Sequence, residues 1–533
     1  MQVAGAAGRP IAVPLVVGVT GHRDLVDEDV AALTACVERV LTEIADRVPH
    51  TPLVLLSPLA AGADTLVAEI ALRRGLDVVG CLPMPVDDYR ADFTEDEYRR
   101  FTAVLARCTR VHLVGHVPSD AADRNACYEA ADAYLARNSD LLLALWDGVE
   151  SDNAAGTSAV VRMRLHGTAA SKIALLEPLD AGSVYWIATR RRSKPATGGA
   201  AGDELLYPDP AHGEGDTAAA EQAANERLDV LNRDLATAAV SAGGADPGTG
   251  VLAAVDGIAN ALQRRSLAVG RLLYILAFFA ASAQIVLRDD TWSTVGKIAL
   301  LAVALAVLLV ARRADVDGRY EDYRALAEGL RVADAWRRAG IRAPVDRFYL
   351  RMQAGELQWI RRALRSIALR APDEPVADPR PALGGWIAHQ EDYYRGAALR
   401  ERTRQRGCDR WAYVLTILNL CAGALVAGLL VVSYPPVKAF VAQHAEIMHG
   451  LLPVFIAWAA LSAGLLWSYA NERRFAESAR RYERMHLLYA RARRRLDQAA
   501  GNELALELGR ESLAEHADWL LTRRAQPVSV FKG

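Results

Sequence analysis

The chain lacks most of the features that mark secreted, metal-binding and nucleic-acid-binding proteins. Its 533 residues include only six cysteines, which form no C-x-x-C pair and have no histidine at metal-ligand spacing. We therefore expect reduced thiols in a protein core or a membrane, and no metal site. The formal net charge is −2 and 24% of the residues are charged, so bulk electrostatics give no reason to expect a nucleic-acid partner.

Other signals are missing as well. The sequence contains no P-loop, no zinc motif and no Ser-His-Asp order that would identify a hydrolase. The segment Met1–Pro10 has neither the basic region nor the apolar region of a signal peptide. We therefore expect the start of the chain to remain in the cytosol.

Charged side chains are also absent from four apolar segments in the second half of the chain. These segments are Leu272–Leu287, Ile298–Ala311, Trp411–Tyr434 and Leu451–Ala470. A membrane-spanning helix needs about 20 mainly apolar residues, which the last two segments supply outright. The first two reach that length with their flanking residues, because arginine and lysine side chains at helix ends extend to the headgroups.

The short segment Ile298–Ala311 has a second interpretation, as a buried helix of a soluble domain. Its position a short loop after the preceding span favours a membrane hairpin. Arginines cluster before and after each pair of spans, whereas the tips Arg288–Lys297 and Pro435–Gly450 carry few basic residues. The positive-inside rule therefore predicts a multi-pass protein of the inner (cytoplasmic) membrane, with the head and both termini in the cytosol.

The two hairpins resemble each other. Arg319-Tyr320 follows the first hairpin and Arg474-Phe475 follows the second, and each aromatic residue is eight positions before a glutamate, Glu328 or Glu483. This pattern predicts an internal duplication of a unit made of two spans and an amphipathic helix. The alternative is a chance match between two helices that are both rich in arginine and glutamate.

Polar residues inside the spans are few, and they are candidates for lining a pore. Such residues usually face protein or water rather than lipid. Hydrogen bonding between neighbouring helices is the alternative role. The pore-lining candidates are Ser282, Gln284, Thr416 and Asn419.

Residues 11–190 alternate apolar runs with helical patterns. The alternation predicts an α/β domain, namely a doubly wound, Rossmann-like parallel sheet, joined to an all-α membrane domain with four transmembrane helices in two duplicated hairpins. In such a sheet the ligand crevice lies at the carboxyl ends of the strands. The predicted strands are Ile11–Thr20, Leu53–Ser57, Val78–Leu82, Val111–Gly115, Leu141–Trp146, Lys172–Leu176 and Val184–Thr189.

The turns after these strands carry the candidate binding residues. Glycines would let the backbone approach a phosphate that Arg23 could pair with, and Asp64 would be either a helix N-cap or an acceptor for a ribose hydroxyl. His22 would contact a base or phosphate, or else cap its own turn. Arg124 and Asn125 would reach the ligand, or else be solvated residues at a helix start. The predicted nucleotide-binding residues are Gly18, Thr20, Gly21, His22, Arg23, Ser57, Gly62, Ala63, Asp64, Arg124, Asn125, Trp146, Asp147, Gly148, Gly156, Thr157 and Ser158.

Part of this head resembles a known family. The stretch Asn138–Gly148, followed by Gly156-Thr157, is similar to the signature of the SLOG superfamily, which includes the LOG phosphoribohydrolases, the DprA proteins and the cytosolic head of TRPM channels. Val19–Arg23 and Ser57–Asp64 are similar to its bacterial sensor branch. The paired hairpins resemble SLATT membrane modules, which bacterial conflict systems place beside SLOG domains.

The resemblance implies a cytosolic sensor for a nucleotide derivative, such as an ADP-ribose-like, NAD-derived or cyclic nucleotide, with a membrane-perturbing or pore-forming output. An ion channel in antiviral defence is one such output. The hydrolase branch has a catalytic arginine and a catalytic glutamate where this chain has Ala131 and Ala159. This departure favours sensing over hydrolysis. A membrane-anchored nucleotide or NAD glycohydrolase is the alternative, with Asp147 or Glu69 as its carboxylate.

The expected partners are therefore a nucleotide, the lipid bilayer and further copies of the chain, because four helices alone enclose no useful aqueous path. No nucleic acid is expected. The predicted domains are 11–190 (nucleotide-sensing domain), 191–260 (linker and helix), 261–345 (first hairpin with its trailing helix), 346–410 (cytosolic helices and linker), 411–500 (second hairpin with its trailing helix) and 501–533 (cytosolic tail).

Overall fold

The structure is a computed structural model of the whole chain. It describes residues 11–167, 181–193, 202–208, 217–242, 247–286, 291–351, 355–371, 378–431, 434–444, 447–496 and 501–525. The chain folds into two compact units. The first unit comprises Met1–Ile258, Ala325–Ala333 and Ala343–Glu374, and the second comprises Ala259–Arg324, Asp334–Arg342 and Pro375–Gly533.

The first unit contains a sheet of seven strands among the described residues, with helices between them. The strands are β1 (Leu15–Gly21), β2 (Leu53–Ser57), β3 (Asp77–Leu82), β4 (Arg110–Leu113), β5 (Leu141–Trp146), β6 (Val184–Ala188) and β7 (Asp203–Leu206). The helices of the first part of the chain are α1 (Val30–Arg47), α2 (Ala63–Arg73), α3 (Val86–Tyr89), α4 (Glu95–Leu105), α5 (Ala121–Asn138), α6 (Thr157–His166) and α7 (Thr217–Ala242).

The strand order across the sheet is β4-β3-β2-β1-β5-β6-β7, and every neighbouring pair is parallel except β6 and β7. Side chains alternate between two buried layers, as the period of two in a strand requires. Val17 and Leu55 belong to the core on one face of the sheet, while Val16 and Val54 belong to the core on the other. The apolar runs predicted the strands correctly because both faces of these strands are buried.

The prediction of a mostly parallel sheet with flanking helices is confirmed. Six of the predicted strands correspond to β1–β6, and the seventh, Lys172–Leu176, lies outside the described residues. Strand β7 was not predicted, because it falls in a stretch that reads as a loop and its sequence, Asp-Glu-Leu-Leu, has only two apolar residues. It adds to the sheet as an antiparallel edge strand.

The remaining helices follow in the second part of the chain. They are α8 (Pro247–Val286), α9 (Thr291–Arg313), α10 (Val316–Arg338), α11 (Gln358–Arg370), α12 (Arg380–Val431), α13 (Pro435–Gln443), α14 (Leu452–Glu472), α15 (Phe475–Arg495) and α16 (Gly501–Ala525). Of these, α11 and the start of α8 belong to the first unit, and α10 contributes residues to both units.

Four helical segments are long and apolar enough to span a membrane, in agreement with the four predicted spans. They are Gly250–Ala283, Thr294–Arg338, Arg380–Leu429 and Leu452–Arg495. All four extend well beyond the apolar runs. Helix α12 alone has 52 residues, or about 78 Å of helix at 1.5 Å per residue. The proline-rich stretch before the third span reads as a linker up to Gly385 in the sequence, but the helix begins at Arg380.

Helices α10 and α16 are joined by ion pairs within the second unit. Arg523 and Arg524 of α16 bond the carboxylates of Glu321 and Asp322 on α10. Burial raises the pKa of Glu321, and the adjacent Arg523 guanidinium opposes that rise. The indole N–H of Trp336 donates to the carbonyl of Ala505 at 2.9 Å. These contacts therefore pack α16 against α10.

Helices α10 and α15 begin with the same backbone turn, which we call the elbow. Two residues separate α9 from α10 and α14 from α15, and the second of each pair is left-handed, with φ of 43° at Asp315 and 50° at Arg474. Such angles are uncommon outside glycine. The elbow comes five residues before Tyr320 but only one residue before Phe475. Aligning the two hairpins by their arginine-aromatic pairs therefore differs by about one helical turn from aligning them by their elbows.

Candidate functional site

The candidate site is a crevice at the carboxyl ends of the neighbouring strands β1 and β5, whose following connections run in opposite directions. Strand β1 pairs with β2 on one side and with β5 on the other. The connection after β1 leads toward β2, and the connection after β5 leads toward β6, so the turns at their carboxyl ends diverge. Ligands of open parallel sheets bind at such a switch point. We call this region the crevice and define it by His22, Arg23, Asp64, Asp132 and Asp147.

The turns after β1 and β2 are locked together by close backbone approach. The N–H of Ala63 donates to the carbonyl of His22 at 3.0 Å. Gly62 has φ of +81°, and a Cβ there would overlap with the backbone of His22 and Arg23. A Cβ at Gly21 would likewise overlap with the Ala63 side chain. The glycines predicted to admit a phosphate therefore also bring these two turns into contact.

His22 connects the turn after β1 to the turn after β5. Its Nε2 accepts the N–H of Asp147 at 3.0 Å and lies 3.1 Å from the Asp147 carboxylate. Burial lowers the pKa of His22, against the opposing effect of the Asp147 charge. The ring thus caps the turn after β5, whereas the second interpretation of the sequence had it cap its own turn, after β1. Arg191, 4.0 Å from Asp147 and 3.0 Å from Asp24, adds a cation that the sequence did not indicate.

Two carboxyl groups of the crevice have no paired cation at contact distance among the described residues. Asp64, the second residue of α2, is 4% exposed, and its Oδ1 has no hydrogen-bond partner among the described residues. Burial raises its pKa well above the ordinary value, although the Arg23 charge opposes this. Asp132 of α5 accepts the N–H of Gly156 at 2.7 Å, and burial raises its pKa to about 6. Asp132 therefore occupies the N-terminus of α6, where Gly156, Thr157 and Ser158 were predicted to bind the nucleotide.

Basic and aromatic groups form another wall of the crevice. The guanidinium of Arg23 lies 5.7 Å from the centre of the Tyr128 ring and 3.7 Å from the Asp92 carboxylate. Arg124 donates to the same Asp92 at 2.5 Å, and the Tyr128 hydroxyl also bonds it. Arg23 is still about half exposed. Of the cations predicted here, Arg23 is thus the one available to a ligand, while Arg124 is held by Asp92.

The other predicted residues serve the local structure. The Ser57 hydroxyl accepts the N–H of Leu59, and the Ser158 hydroxyl accepts that of Ser151. Gly18 lies within β1, where a Cβ would overlap with the Ser139 side chain, and Gly148 lies against the Trp186 ring. The remaining ones are placed as follows: Thr20 is buried at the end of β1, the Trp146 indole donates to the Val149 carbonyl, Thr157 begins α6, and Asn125 is exposed on α5.

In the membrane helices, two pore-lining candidates share a groove. Thr416 and Asn419 of α12 line it together with Ala460 and Gly464 of α14, and the groove has a volume of about 550 Å³. The Thr416 hydroxyl donates to the carbonyl of Ala412, one turn back. Ser282 is buried. The side chain of Gln284 lies outside the described residues.

Asp132 and Tyr128 were missed by sequence reasoning because they lie in the middle of a helix, whereas the candidates were sought in the turns after the strands and at helix starts. Their spacing was a usable signal: Arg124, Tyr128 and Asp132 recur every four residues and so share one face of α5. The positions that replace the hydrolase residues, Ala131 and Ala159, are both buried.

Comparison with known proteins adds no family assignment. No family model matches the chain, and no curated protein matches it significantly.

Proposed function

We propose that the protein is a ligand-gated membrane effector, in which a nucleotide derivative binds the crevice of a SLOG-like head and controls a pore-forming or membrane-perturbing module. The proposal treats the sheet as doubly wound and the hairpins as copies of one SLATT-like unit. The observation that carries it is the crevice at the switch point of a parallel sheet, in a chain that also has four helices able to span a membrane.

The crevice has the groups that a nucleotide derivative needs. Arg23 supplies an exposed cation for a phosphate, and the ring of Tyr128 beside it offers an aromatic surface for a base. Asp64 supplies a buried carboxyl oxygen with no described partner, which suits a ribose hydroxyl. Since Asp132 already fills the N-terminus of α6, the phosphate is expected at Arg23 rather than at that helix.

Gating requires that the ligand bind one conformation of the head better than another. The head unit includes α11 and part of α10, which follow the first hairpin in the chain. A change in the head therefore reaches the spans through continuous chain. The output would be an ion channel or a lesion in the inner membrane, formed by several copies of the chain.

The test is equilibrium binding by the purified full-length protein in lipid nanodiscs, with ADP-ribose, NAD, cyclic ADP-ribose and cyclic oligonucleotides as ligands. Arg23→Ala should weaken the binding of the active ligand at least tenfold, because it removes a charge-assisted hydrogen bond worth about 1.5–3 kcal/mol. Arg99→Ala is the matched control, since Arg99 is 71% exposed on α4. Equal affinity of both variants, or no binding of any nucleotide, contradicts the proposal.

A second candidate function is a membrane-anchored nucleotide or NAD glycohydrolase. The observation that favours it is Asp132, because a partly buried carboxyl group with a pKa of about 6 suits general acid–base catalysis near neutral pH. The carboxylates named from the sequence suit the role less well: Glu69 forms a two-point ion pair with Arg100, and Asp147 interacts with His22.

Product analysis separates the two functions. The protein is incubated with NAD and ADP-ribose, and the products are separated by chromatography, while a parallel sample in a lipid bilayer is monitored for ligand-dependent current. Turnover that Asp132→Asn abolishes, without current, establishes the enzyme. Current without turnover establishes the effector.

A further inference from the structure

A cluster of metal-ligating side chains lies outside the crevice, at the edge of the sheet. His116 is in the segment that connects β4 to α5, and Asp123 and Cys127 are on α5. Their ligand atoms all lie within 4.8 Å of one another. Asp123 and Cys127 are four residues apart on a helix and so share one face. No sequence motif indicates this site, because the histidine lies in a loop eleven residues before the cysteine.

The three side chains already interact. His116 Nε2 lies 2.8 Å from Asp123 Oδ1, and its Nδ1 lies 3.9 Å from Cys127 Sγ. The loop is held against the helix at Gly115, where a Cβ would be 3.1 Å from Cys127 Sγ. The other Asp123 oxygen accepts the N–H of Ser119 at 2.7 Å. Backbone contacts therefore keep the three donors together without an ion.

We propose that His116, Asp123 and Cys127 bind a thiophilic divalent cation, Zn²⁺, with water as the fourth ligand. Zinc bonds to sulfur, nitrogen and oxygen at 2.0–2.3 Å place tetrahedral donors about 3.5 Å apart. The donors need to approach by about 1.3 Å at most, and the His116 ring, 64% exposed, has space on its solvent side for this movement. Because His116 is exposed, there is also space beside it for the water that would be the fourth ligand.

The chemistry of the donors selects the metal. Binding replaces the thiol proton: the Cys127 S–H bond breaks, a sulfur–zinc bond forms, and the proton passes to solvent. A thiolate and a carboxylate then balance the two charges of the ion, which suits a site whose cysteine is 1% exposed. A thiolate and an imidazole favour zinc over Mg²⁺ or Ca²⁺, which prefer oxygen ligands.

The site bears on the crevice through α5. Arg124 and Tyr128 directly follow Asp123 and Cys127 on that helix, and Asp132 is one turn further. An ion that ties the loop to the first two turns of α5 would restrain the helix that carries these crevice residues. The metal site itself does not depend on the proposed function.

The experiment uses the metal-free full-length protein titrated with Co²⁺, then with Zn²⁺. The expected result is one Co²⁺ per chain, with the near-ultraviolet charge-transfer absorption of a cobalt–thiolate bond, and its loss when Zn²⁺ is added. Mg²⁺ at the same concentration should not displace Co²⁺.

Three variants locate the ion. His116→Ala changes an exposed side chain, so the fold should persist, and it should weaken Co²⁺ binding at least tenfold. Cys127→Ser should remove the charge-transfer band, whereas Cys36→Ser, a partly exposed cysteine on α1, should leave it unchanged. Absence of the band in the unsubstituted protein overturns the proposal, as does its persistence in Cys127→Ser or an unchanged affinity in His116→Ala.

Discussion

At the scale of single residues, the crevice combines a buried carboxyl group, that of Asp64, and a partly buried one, that of Asp132, with locally satisfied polar groups. His22 accepts a backbone N–H and Arg124 is held by Asp92, whereas Asp64 has an oxygen without a described partner. Burying a carboxylate without a compensating cation costs free energy, which shows as a raised pKa. A pKa shifted in this way is typical of a group in a site that binds a ligand.

The first prediction concerns Asp132 and pH. Its pKa is about 6 in the folded protein and 3.8 ordinarily, so the folded state holds the proton more tightly than the unfolded state. The stability that this proton provides is complete below pH 4 and is lost as the pH rises through about 6. Asp132→Asn, which still offers an oxygen to Gly156, should remove this dependence and raise the free energy of unfolding at pH 7 by about 1–3 kcal/mol.

Unfolding transitions of the head at pH 5 and pH 7, followed by tryptophan fluorescence, test this prediction. The control is Asp96→Asn, which changes a side chain that is 83% exposed on α4. A variant whose stability falls with pH as steeply as that of the unsubstituted protein would show that Asp132 is not the titrating group.

The second prediction concerns His22. His22→Ala leaves the N–H of Asp147 without its acceptor and separates the turns after β1 and β5. The expected loss is about 1–2 kcal/mol in the free energy of unfolding. His50→Ala, on an exposed residue of the same unit, should change it by less than about 0.5 kcal/mol. Thermal unfolding of both variants gives the comparison, and equal melting temperatures would contradict the assigned role.

At the scale of elements, α11 has a role that its composition conceals. Its three arginines up to Arg365 and its basic end at Arg370 are typical of a solvated, charged helix, and the sequence places it outside the predicted nucleotide-sensing domain. In the structure Arg361, Arg362 and Arg365 are buried, and Leu369 packs in the core beneath the sheet. Arg362 pairs with Glu221 at 3.1 Å, and Arg365 lies 3.5 Å from Asp140. The helix is therefore part of the head.

The third prediction follows from the Arg365–Asp140 pair. Asp140 also accepts the N–H of Val16 at 2.9 Å, so its charge is tied to β1. Arg365→Ala leaves a buried carboxylate without this cation and should lower the stability of the head by about 3–5 kcal/mol. Arg99→Ala, on the solvent face of α4, should cost less than about 1 kcal/mol. Equal unfolding midpoints in urea would show that the pair contributes nothing.

The elements show which sequence signals suffice. Strands β2 and β5 begin and end where predicted, because their apolar runs are bounded sharply by polar or turn residues and both faces are buried. The turns after β1, β2 and β5 lie close together because these strands are adjacent and parallel, so this part of the site follows from the strand order alone. By contrast, α11 and Asp132 depend on contacts between distant parts of the chain, such as the pairs of Arg365 with Asp140 and of Asp132 with Gly156. No local pattern encodes those.

At the scale of the whole molecule, the chain passes between the two units five times. Helix α8 changes unit at Ile258 and α10 does so at Arg324, so the first hairpin is continuous with the head at both of its ends. A rigid helix that belongs to two units transmits a displacement more directly than a flexible linker does. This connectivity supports gating of the spans by the head, whatever the ligand.

The last prediction concerns assembly in the membrane. Thr416 satisfies its hydroxyl within its own helix, whereas the half-buried Asn419 presents an amide in a groove beside Ala460 and Gly464. In a bilayer an amide gains from a polar partner on another helix, and small residues let that helix come close.

If copies of the chain associate through this groove, the mass in detergent should be a multiple of 57.7 kDa. Asn419→Leu should shift the protein toward the monomer, and Thr416→Val should not. Light scattering measures both, and a monodisperse monomer for the unsubstituted protein would exclude a pore built from several copies.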